Sequence, residues 1–182
     1  MTEQNSTYLG ELCHAMKLLG AHPRTLFIGQ AVAYPGTSMS GTLADVPPEK
    51  LIELPVMEEA QMGMSIGLAV AGFIPITIYP RWNFLLLATN QIVNHLDKLP
   101  IISNGGYCPK VIIRVGIAAD TPLNPQAQHL GDFTAAFKSM CHTVEVLRLD
   151  RPGDIVPAYE HALLREDGRS TLLVEHTARL AL

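Results

Sequence analysis

The sequence predicts an α/β three-layer sandwich with a mainly parallel central sheet. Short apolar runs that are typical of buried strands alternate with helical segments of ten or more residues, which favours parallel pairing with helices on both faces. The 182 residues suffice for one domain with a substantial core. No repeat, low-complexity tract or linker divides the chain, so a single domain is expected.

The chain is expected to open with a helix followed by a strand and a long loop. Apolar residues recur at helical spacing from Tyr8 to Leu19, and an apolar run at 25–28 follows Gly20. Residues 29–50 are rich in Gly, Pro, Ser and Thr and carry no period. They predict either an ordered functional loop or a mobile lid.

Strands and helices then alternate to the end of the chain. The predicted strands are 51–54, 74–79, 110–115, 143–149 and 171–175, and the predicted helices are 57–71, 83–97, 130–140 and 154–165. In open parallel sheets, ligands bind beyond the carboxyl ends of strands. The loop 29–50 and the turn-rich loop 121–129, in which Pro122 and Pro125 flank Asn124, are therefore candidate walls of a site.

The amino-acid composition limits the kinds of partner that are expected. With 48% hydrophobic and 16% charged residues, part of the apolar surface is expected to be covered by another subunit. The net charge of -4 and the scattered Lys and Arg provide no basic stripe for a phosphate backbone, so nucleic acid is not an expected partner.

Cysteine usage and hydropathy indicate a cytoplasmic protein without a membrane partner. Cys13, Cys108 and Cys141 are widely spaced and form no C-x-x-C, which predicts free thiols in a reducing compartment. No basic leader precedes an apolar run, and no window reaches the roughly 20 apolar residues that a bilayer span requires.

Several common chemistries lack their motifs here. The sequence contains no P-loop, no dinucleotide-binding glycine pattern, no serine elbow and no H-E-x-x-H helix. The seven histidines are dispersed, so no metal site is assigned to this chain.

Glu58 and Glu59 form a carboxylate pair at the head of an apolar, glycine-studded segment. A buried carboxylate must be paired, cap a helix or take part in proton chemistry. Charge at the start of a helix is one simple explanation. Since consecutive helical residues face different directions, one glutamate is expected to turn inward and the other to cap the helix or face solvent. Gly63, Gly67 and Gly72 give this helix a thin side, which predicts that something approaches its backbone closely.

The segment 53–72, continued by a W-N-F tripeptide at 82–84 and a Q-x-x-N helix at 91–94, resembles a known family. It is similar to the pyrimidine-binding domain of transketolase-like thiamine diphosphate enzymes. The closest resemblance is to the beta subunit of the first component of 2-oxo-acid dehydrogenases. The shared pattern is a short strand, a proline, a glutamate that opens a small-residue helix, A-G, and a further strand. Looser resemblance extends over nearly the whole chain, and it implies the thiamine diphosphate-binding fold.

The resemblance assigns roles to individual residues. It implies that Glu58 hydrogen-bonds the aminopyrimidine ring of thiamine diphosphate and favours the tautomer that activates the cofactor. It places Phe84 against that ring, and Tyr79 and Pro80 near the pocket. His129 falls at the active-site mouth, where the family handles protons or substrate charge.

Simpler explanations remain for three residues. Phe84 could be a core side chain, His129 a surface or helix-capping side chain, and Arg81 either a ligand for a substrate anion or a solvated arginine.

The family also implies a partner. Its Mg²⁺ and diphosphate are held through G-D-G and a downstream asparagine, whereas here Gly131-Asp132 and Gly153-Asp154 are followed by Phe133 and Ile155. Residues 1–182 are therefore expected to be a single pyrimidine-binding domain, with the diphosphate-binding and C-terminal domains absent. Mg²⁺ would be held by a diphosphate-binding, alpha-like partner subunit, in a heterotetramer.

The function expected from this resemblance is that of a small subunit of a split thiamine diphosphate enzyme that acts on a 2-oxo acid or ketose. The alternative is a noncatalytic paralogue or interaction subunit that keeps the fold and the partner surface. A flavodoxin-like module for another small ligand is a third, weaker option.

Overall fold

The computed structural model describes residues 7–118 and 124–180. Their strands form one six-stranded sheet in the order β2-β1-β3-β4-β6-β5. All neighbouring strands pair in parallel. The strands are β1 (Thr25–Gly29), β2 (Leu51–Glu53), β3 (Ile74–Tyr79), β4 (Ile112–Ile117), β5 (Glu145–Arg148) and β6 (Thr171–His176).

Helices cover both faces of the sheet. They are α1 (Tyr8–Ala21), α2 (Glu58–Val70), α3 (Trp82–Leu87), α4 (Leu99–Ile102), α5 (Thr134–Met140) and α6 (Pro152–Leu164). Helices α1 and α6 pack in one apolar cluster with one face of the sheet. Residues of α2, α3 and α5 pack in a second cluster on the other face. The three-layer α/β architecture predicted from the sequence is confirmed.

Two predicted helices differ most from those observed. The helix expected at 83–97 is broken: α3 ends at Leu87, a π-helical turn runs over Gln91–Leu96, and α4 begins at Leu99. The wider π turn brings the Asp97 amide to the carbonyl of Ile92, five residues earlier, and Asp97 is fully buried. Helix α5 begins at Thr134 instead of near Leu130, and just before it the Asp132 carboxylate accepts a local hydrogen bond from the Thr134 amide.

The loop 29–50 is ordered and packs into the core. It contains 3₁₀ turns at Ser40–Leu43 and Pro48–Lys50, and it buries Met39 and Leu43. The structure therefore supports an ordered loop over the mobile lid. Pro122, one of the two prolines expected to shape the second loop, lies outside the described residues.

The strand order reverses direction at β1, and this reversal locates the site. From β1 the chain crosses to β2 on one side, and the next strand, β3, pairs on the other side. At such a switch point the connections leave opposite faces of the sheet and open a crevice at the carboxyl edge. Helix α2 begins beside this crevice, since it joins β2 to β3. Within the described residues, no helix combines the length and hydropathy needed to cross a membrane.

Candidate functional site

Glu58 is the first residue of α2 and is 7% exposed, whereas its neighbour Glu59 is exposed. The predicted division of the pair is thus confirmed. The Glu59 carboxylate accepts a hydrogen bond from Gln91 Nε2 at 2.7 Å. The start of α2 is a favourable place for negative charge, because the helix dipole presents its positive end there.

Tyr79 fixes the first turn of α2. Its hydroxyl donates a hydrogen bond to the backbone carbonyl of Glu58 at 3.1 Å, and the side chain is fully buried. Burial raises the pKa of the Tyr79 hydroxyl, so it remains a donor. Its visible role is therefore to place Glu58 from the end of β3.

Gln61 lies one turn beyond Glu58 and joins the two strands at the switch point. It is 3% exposed, and its Nε2 donates to Thr77 Oγ1 at 2.8 Å and to the Ile78 carbonyl at 3.1 Å in β3, and to the Ile28 carbonyl of β1 at 3.4 Å. Gly29 permits this packing, because a Cβ there would lie 2.7 Å from the Ile78 carbonyl oxygen. Sequence reasoning missed Gln61, since a glutamine in a helix carries no local sign of partners 16 and 17 residues away.

Glu53 closes the neighbouring loop. Its carboxylate accepts hydrogen bonds from the amides of Ala31, Val32 and Ala33 at 2.6, 2.9 and 2.8 Å. Ala31 has a φ of 54°, so successive amides turn toward one anion. Glu53 thereby anchors the chain after β1 to the end of β2. The resemblance included this glutamate in its pattern without a role.

The predicted cofactor residues lie together. Glu58, Tyr79, Pro80 and Phe84 line one pocket at the carboxyl edge, with Gln61 beneath. Its volume is about 10 Å³, which is hardly the space of one water molecule. An aromatic ring could therefore contact these side chains only from the open edge.

Phe84 is half-buried and packs against the apolar cluster of α2, α3 and α5. Phe84 is thus partly a core side chain and partly a pocket side chain. One part of the ring contributes to the core, and the residue also lines the pocket.

His129 lies beside the pocket, in a 3₁₀ turn spanning Ala127–His129. Its ring centroid is 5.8 Å from that of Phe84, with an angle of 43° between the ring planes. His129 Nδ1 is buried and has no hydrogen-bond partner among the described residues. The structure thus brings the His129 ring beside Phe84, one of the side chains that line the pocket.

A wider groove adjoins Glu58 on its other side. It has a volume of about 580 Å³ and runs between the first turns of α2 and the region of Leu87 and Gln91. Ala60 and Gly63 are among the residues that line it. Apart from the backbone of α2 itself, no described atom lies within 4 Å of a Cβ placed on Gly63 or Gly67, so the close approach predicted for this face is not made within the described part of the chain.

The arrangement offers an acid–base group, an aromatic wall and an open edge. Among residues 7–118 and 124–180, no group of three or more His, Cys, Asp or Glu side chains is placed to hold a metal ion. Arg81 precedes α3 and is half-buried.

No family model matches the chain, but individual proteins do. It is 29% identical over 156 residues to the beta subunit of 3-methyl-2-oxobutanoate dehydrogenase of Mycobacterium tuberculosis, covering 82% of this chain and 43% of that protein. It is 32% identical over 118 residues to the beta subunit of the pyruvate dehydrogenase E1 component of Rickettsia conorii, covering 63% and 35%. The chain thus spans less than half the length of these curated relatives.

A solved structure supports the same fold. A split-gene transketolase, described as an inactive β4 tetramer, superposes with a TM-score of 0.72 and 17% identity, covering 96% of this chain and 52% of that one. The resemblance inferred from the sequence is therefore confirmed: this chain is similar in sequence to the beta subunits of 2-oxo-acid dehydrogenase E1 components, and it has the fold of a split transketolase chain.

Proposed function

We propose that this chain is the pyrimidine-binding small subunit of a split thiamine diphosphate-dependent enzyme that acts on a 2-oxo acid or a ketose. The observation that carries the proposal is the burial of Glu58 in the pocket. Glu58 is a nearly buried carboxylate at the start of α2, in one pocket with Phe84 at the switch point of the sheet. The similarity to 2-oxo-acid dehydrogenase beta subunits gives this geometry its chemical interpretation.

The side chains of the pocket fit the pyrimidine end of the cofactor. A carboxylate beside an open edge can hydrogen-bond a ring nitrogen, and the half-buried Phe84 offers an aromatic surface to a flat heteroaromatic ring. When bound, thiamine diphosphate supplies the electron sink that allows a bond next to a carbonyl to be made or broken.

The residues of this chain would then have separate tasks. Glu58 shares a proton with the ring nitrogen, in a setting whose low polarity strengthens that hydrogen bond. Tyr79 and Gln61 keep the first turn of α2 fixed to β3, so the carboxylate does not need to reorganise. His129 exchanges a proton or stabilises charge at the mouth of the pocket.

The proposal requires a partner that holds the diphosphate and Mg²⁺. The sequence has no G-D-G, and the pocket is too small to enclose a ring by itself. Exposed apolar side chains on and near α2, namely Met57, Met64, Val70, Phe73 and Leu87, provide a surface for a partner to cover. We assign this surface to the interface of an assembly with a diphosphate-binding alpha-like subunit, as a heterotetramer.

The remaining parts of the proposal concern domain content and location. We take the chain as a single pyrimidine-binding domain that acts in the cytoplasm. The location rests on the three cysteines, which are free thiols in the structure.

Glu58→Gln tests the function, with Glu59→Gln as its matched control. Glutamine preserves the size of Glu58 but cannot share a proton in the same way, so turnover of the enzyme reconstituted with its diphosphate-binding subunit should fall by about 100-fold or more. Glu59 is exposed and bonded to Gln91, so the control should retain activity. Steady-state kinetics and thiamine diphosphate titration, each with Mg²⁺ present, are the measurements.

Two results would count against this function. Full activity of Glu58→Gln would remove the assigned role of the carboxylate. Failure of the wild-type complex to take up thiamine diphosphate with Mg²⁺ would instead favour the noncatalytic interaction subunit.

A further inference from the structure

We infer that Asn83 is a positioning residue that holds His129 at the mouth of the pocket. This inference deepens the proposed function and rests on it for its catalytic meaning. Asn83 Nδ2 donates a hydrogen bond to the backbone carbonyl of Gln128, the residue that precedes His129. Nothing in the sequence resemblance gave this asparagine a task beyond its place in the W-N-F pattern.

Asn83 belongs to the tripeptide 82–84, and each of its three side chains contacts the segment 128–137. The Trp82 ring packs inward on the rings of Phe133 and Phe137, with centroid distances of 6.2 and 5.1 Å. Next along the chain, Asn83 bonds the carbonyl of Gln128, and Phe84 contacts the His129 ring. The first turn of α3 therefore supports both α5 and the turn that carries His129.

The segment that carries His129 needs such support. Gln126 has a φ of 65°, a left-handed conformation that costs free energy for a non-glycine residue. Between residues 124 and 130, the other described hydrogen bonds stay inside the segment: the Gln126 amide donates to Asn124 Oδ1, and the His129 amide donates to the Gln126 carbonyl. Asn83 thus supplies the described hydrogen bond that ties this strained turn to helix α3.

The arrangement also contains unpaired polar atoms. Asn83 Oδ1 and His129 Nδ1 are both buried without a hydrogen-bond partner among the described residues. Such atoms are rare in folded proteins, and each calls for an explanation such as a catalytic role. Asn83 does not contact the His129 ring through a hydrogen bond but binds the backbone carbonyl of the preceding residue. Its inferred role is therefore to fix the backbone that carries the His129 side chain.

Hydrogen exchange on the full chain tests the inference without any cofactor. Asn83→Ala removes the side chain, and Asn83→Asp keeps its size but lacks the amide donor. Both should speed amide exchange in the peptide around 126–130 by about tenfold, the effect of losing one hydrogen bond. Thr89→Ala is the control, because Thr89 Oγ1 also donates to a backbone carbonyl, that of Leu86, but does not reach this segment.

Unchanged exchange at 126–130 in both Asn83 variants would overturn the inference. If Asn83→Ala fails to fold, Asn83→Asp carries the test alone. Exchange that rises equally in α1 and α6 would also overturn it, since this would show general loosening instead of a local support.

Kinetics of the reconstituted enzyme form the second arm. Asn83→Asp should lower kcat to the level of His129→Ala with little change in KM, and the double variant should be no slower than His129→Ala alone. If the two substitutions lower kcat additively in the double variant, Asn83 and His129 act independently, and the positioning role is overturned. Full activity of Glu58→Gln would refute the proposed function while leaving the exchange result interpretable by itself.

Discussion

Asp97 shows how one buried carboxylate joins distant parts of the chain. It is fully buried, and its Oδ1 accepts hydrogen bonds from the amides of His142, Thr143 and Val144 at 2.8, 2.6 and 2.9 Å. Burial by itself raises the pKa of this carboxyl, but the hydrogen bonds from Lys98 and from the three amides outweigh burial and lower the pKa to about 2. The ionised form is thus the one that the fold stabilises.

Asp97→Asn should therefore destabilise the protein in a pH-dependent way. The folded-state pKa of about 2 is below the ordinary value of 3.8, so the contribution is complete above about pH 4 and is lost as pH falls toward 2. We expect a loss on the order of 2 kcal/mol in the free energy of unfolding at pH 7. Urea unfolding of wild type and variant between pH 7 and pH 2.5 measures the difference.

The control for Asp97 is Asp45→Asn, which removes an exposed carboxylate 3.5 Å from Lys17 and should cost little at any pH. A difference between wild type and Asp97→Asn that stays constant down to pH 2.5 would contradict the role of the ionised form.

Residues that could be predicted from the sequence differ in one respect from those that could not. Glu58 was detectable because its local context, a charge at the head of an apolar helix, is itself anomalous. Asp97, Gln61 and Glu53 were not, because their partners lie between 16 and 47 residues away and their own surroundings are ordinary. Hydrogen bonds of this kind are fixed by the pairing of elements, which no local pattern encodes.

Arg114 and Glu175 connect elements across the α1 and α6 side of the sheet. Both are fully buried, and Arg114 Nε and Nη2 donate to the two Glu175 oxygens at 2.7 and 2.9 Å. Tyr159 of α6 donates to the same carboxylate, and Arg114 Nη2 also donates to Thr42 in the loop after β1 at 3.2 Å. One charged pair thus ties β4, β6, α6 and the loop together.

Breaking only one half of this pair should be costly. Glu175→Leu leaves a buried guanidinium without its partner, which typically costs about 3–5 kcal/mol of unfolding free energy. The double variant Arg114→Met, Glu175→Leu should recover much of this loss, because no charge is then left unpaired. Denaturant unfolding of the four proteins in the cycle gives the coupling energy.

Arg151→Met is the control for that cycle, since Arg151 pairs with Asp154 at the surface and should contribute little. If the double variant is as unstable as the sum of the single variants, the pair is not coupled in the way its geometry indicates.

The order of the elements was more predictable than their interruptions. β3 was predicted with its observed bounds, because six consecutive buried residues make a clear apolar run. The break between α3 and the π turn was not predicted, since Leu85, Ile92 and Leu96 are apolar and all buried, as one continuous helix would also require. The interruption depends on Asp97, whose buried carboxylate is stabilised by the neighbouring Lys98 and by the distant amides at 142–144.

The surface of the whole molecule indicates what the isolated chain leaves uncovered. The glycine face of α2 is exposed, and Met64 beside it is 43% exposed. Glycine within a helix costs about 1 kcal/mol relative to alanine, and here the described chain makes no compensating close contact. Under the proposed function, the compensation is found in the assembly, where a partner backbone approaches this face.

Gly63→Ala separates the effect of this glycine on the stability of the isolated chain from its effect on packing in the assembly. In the isolated chain, the new methyl group enters open space and should raise the free energy of unfolding by up to about 1 kcal/mol. In the assembly, the same methyl group should hinder close packing and weaken association by about tenfold. Thermal unfolding measures the first effect, and sedimentation of the reconstituted complex over a range of concentrations measures the second.

Gly29→Ala provides the opposite case, because its Cβ would meet the Ile78 carbonyl at 2.7 Å and should destabilise the chain itself. A Gly63→Ala chain that is more stable alone and associates as tightly as wild type would show that no partner backbone approaches this face. The cost of its glycines would then need another cause, and the interface would have to be sought away from α2.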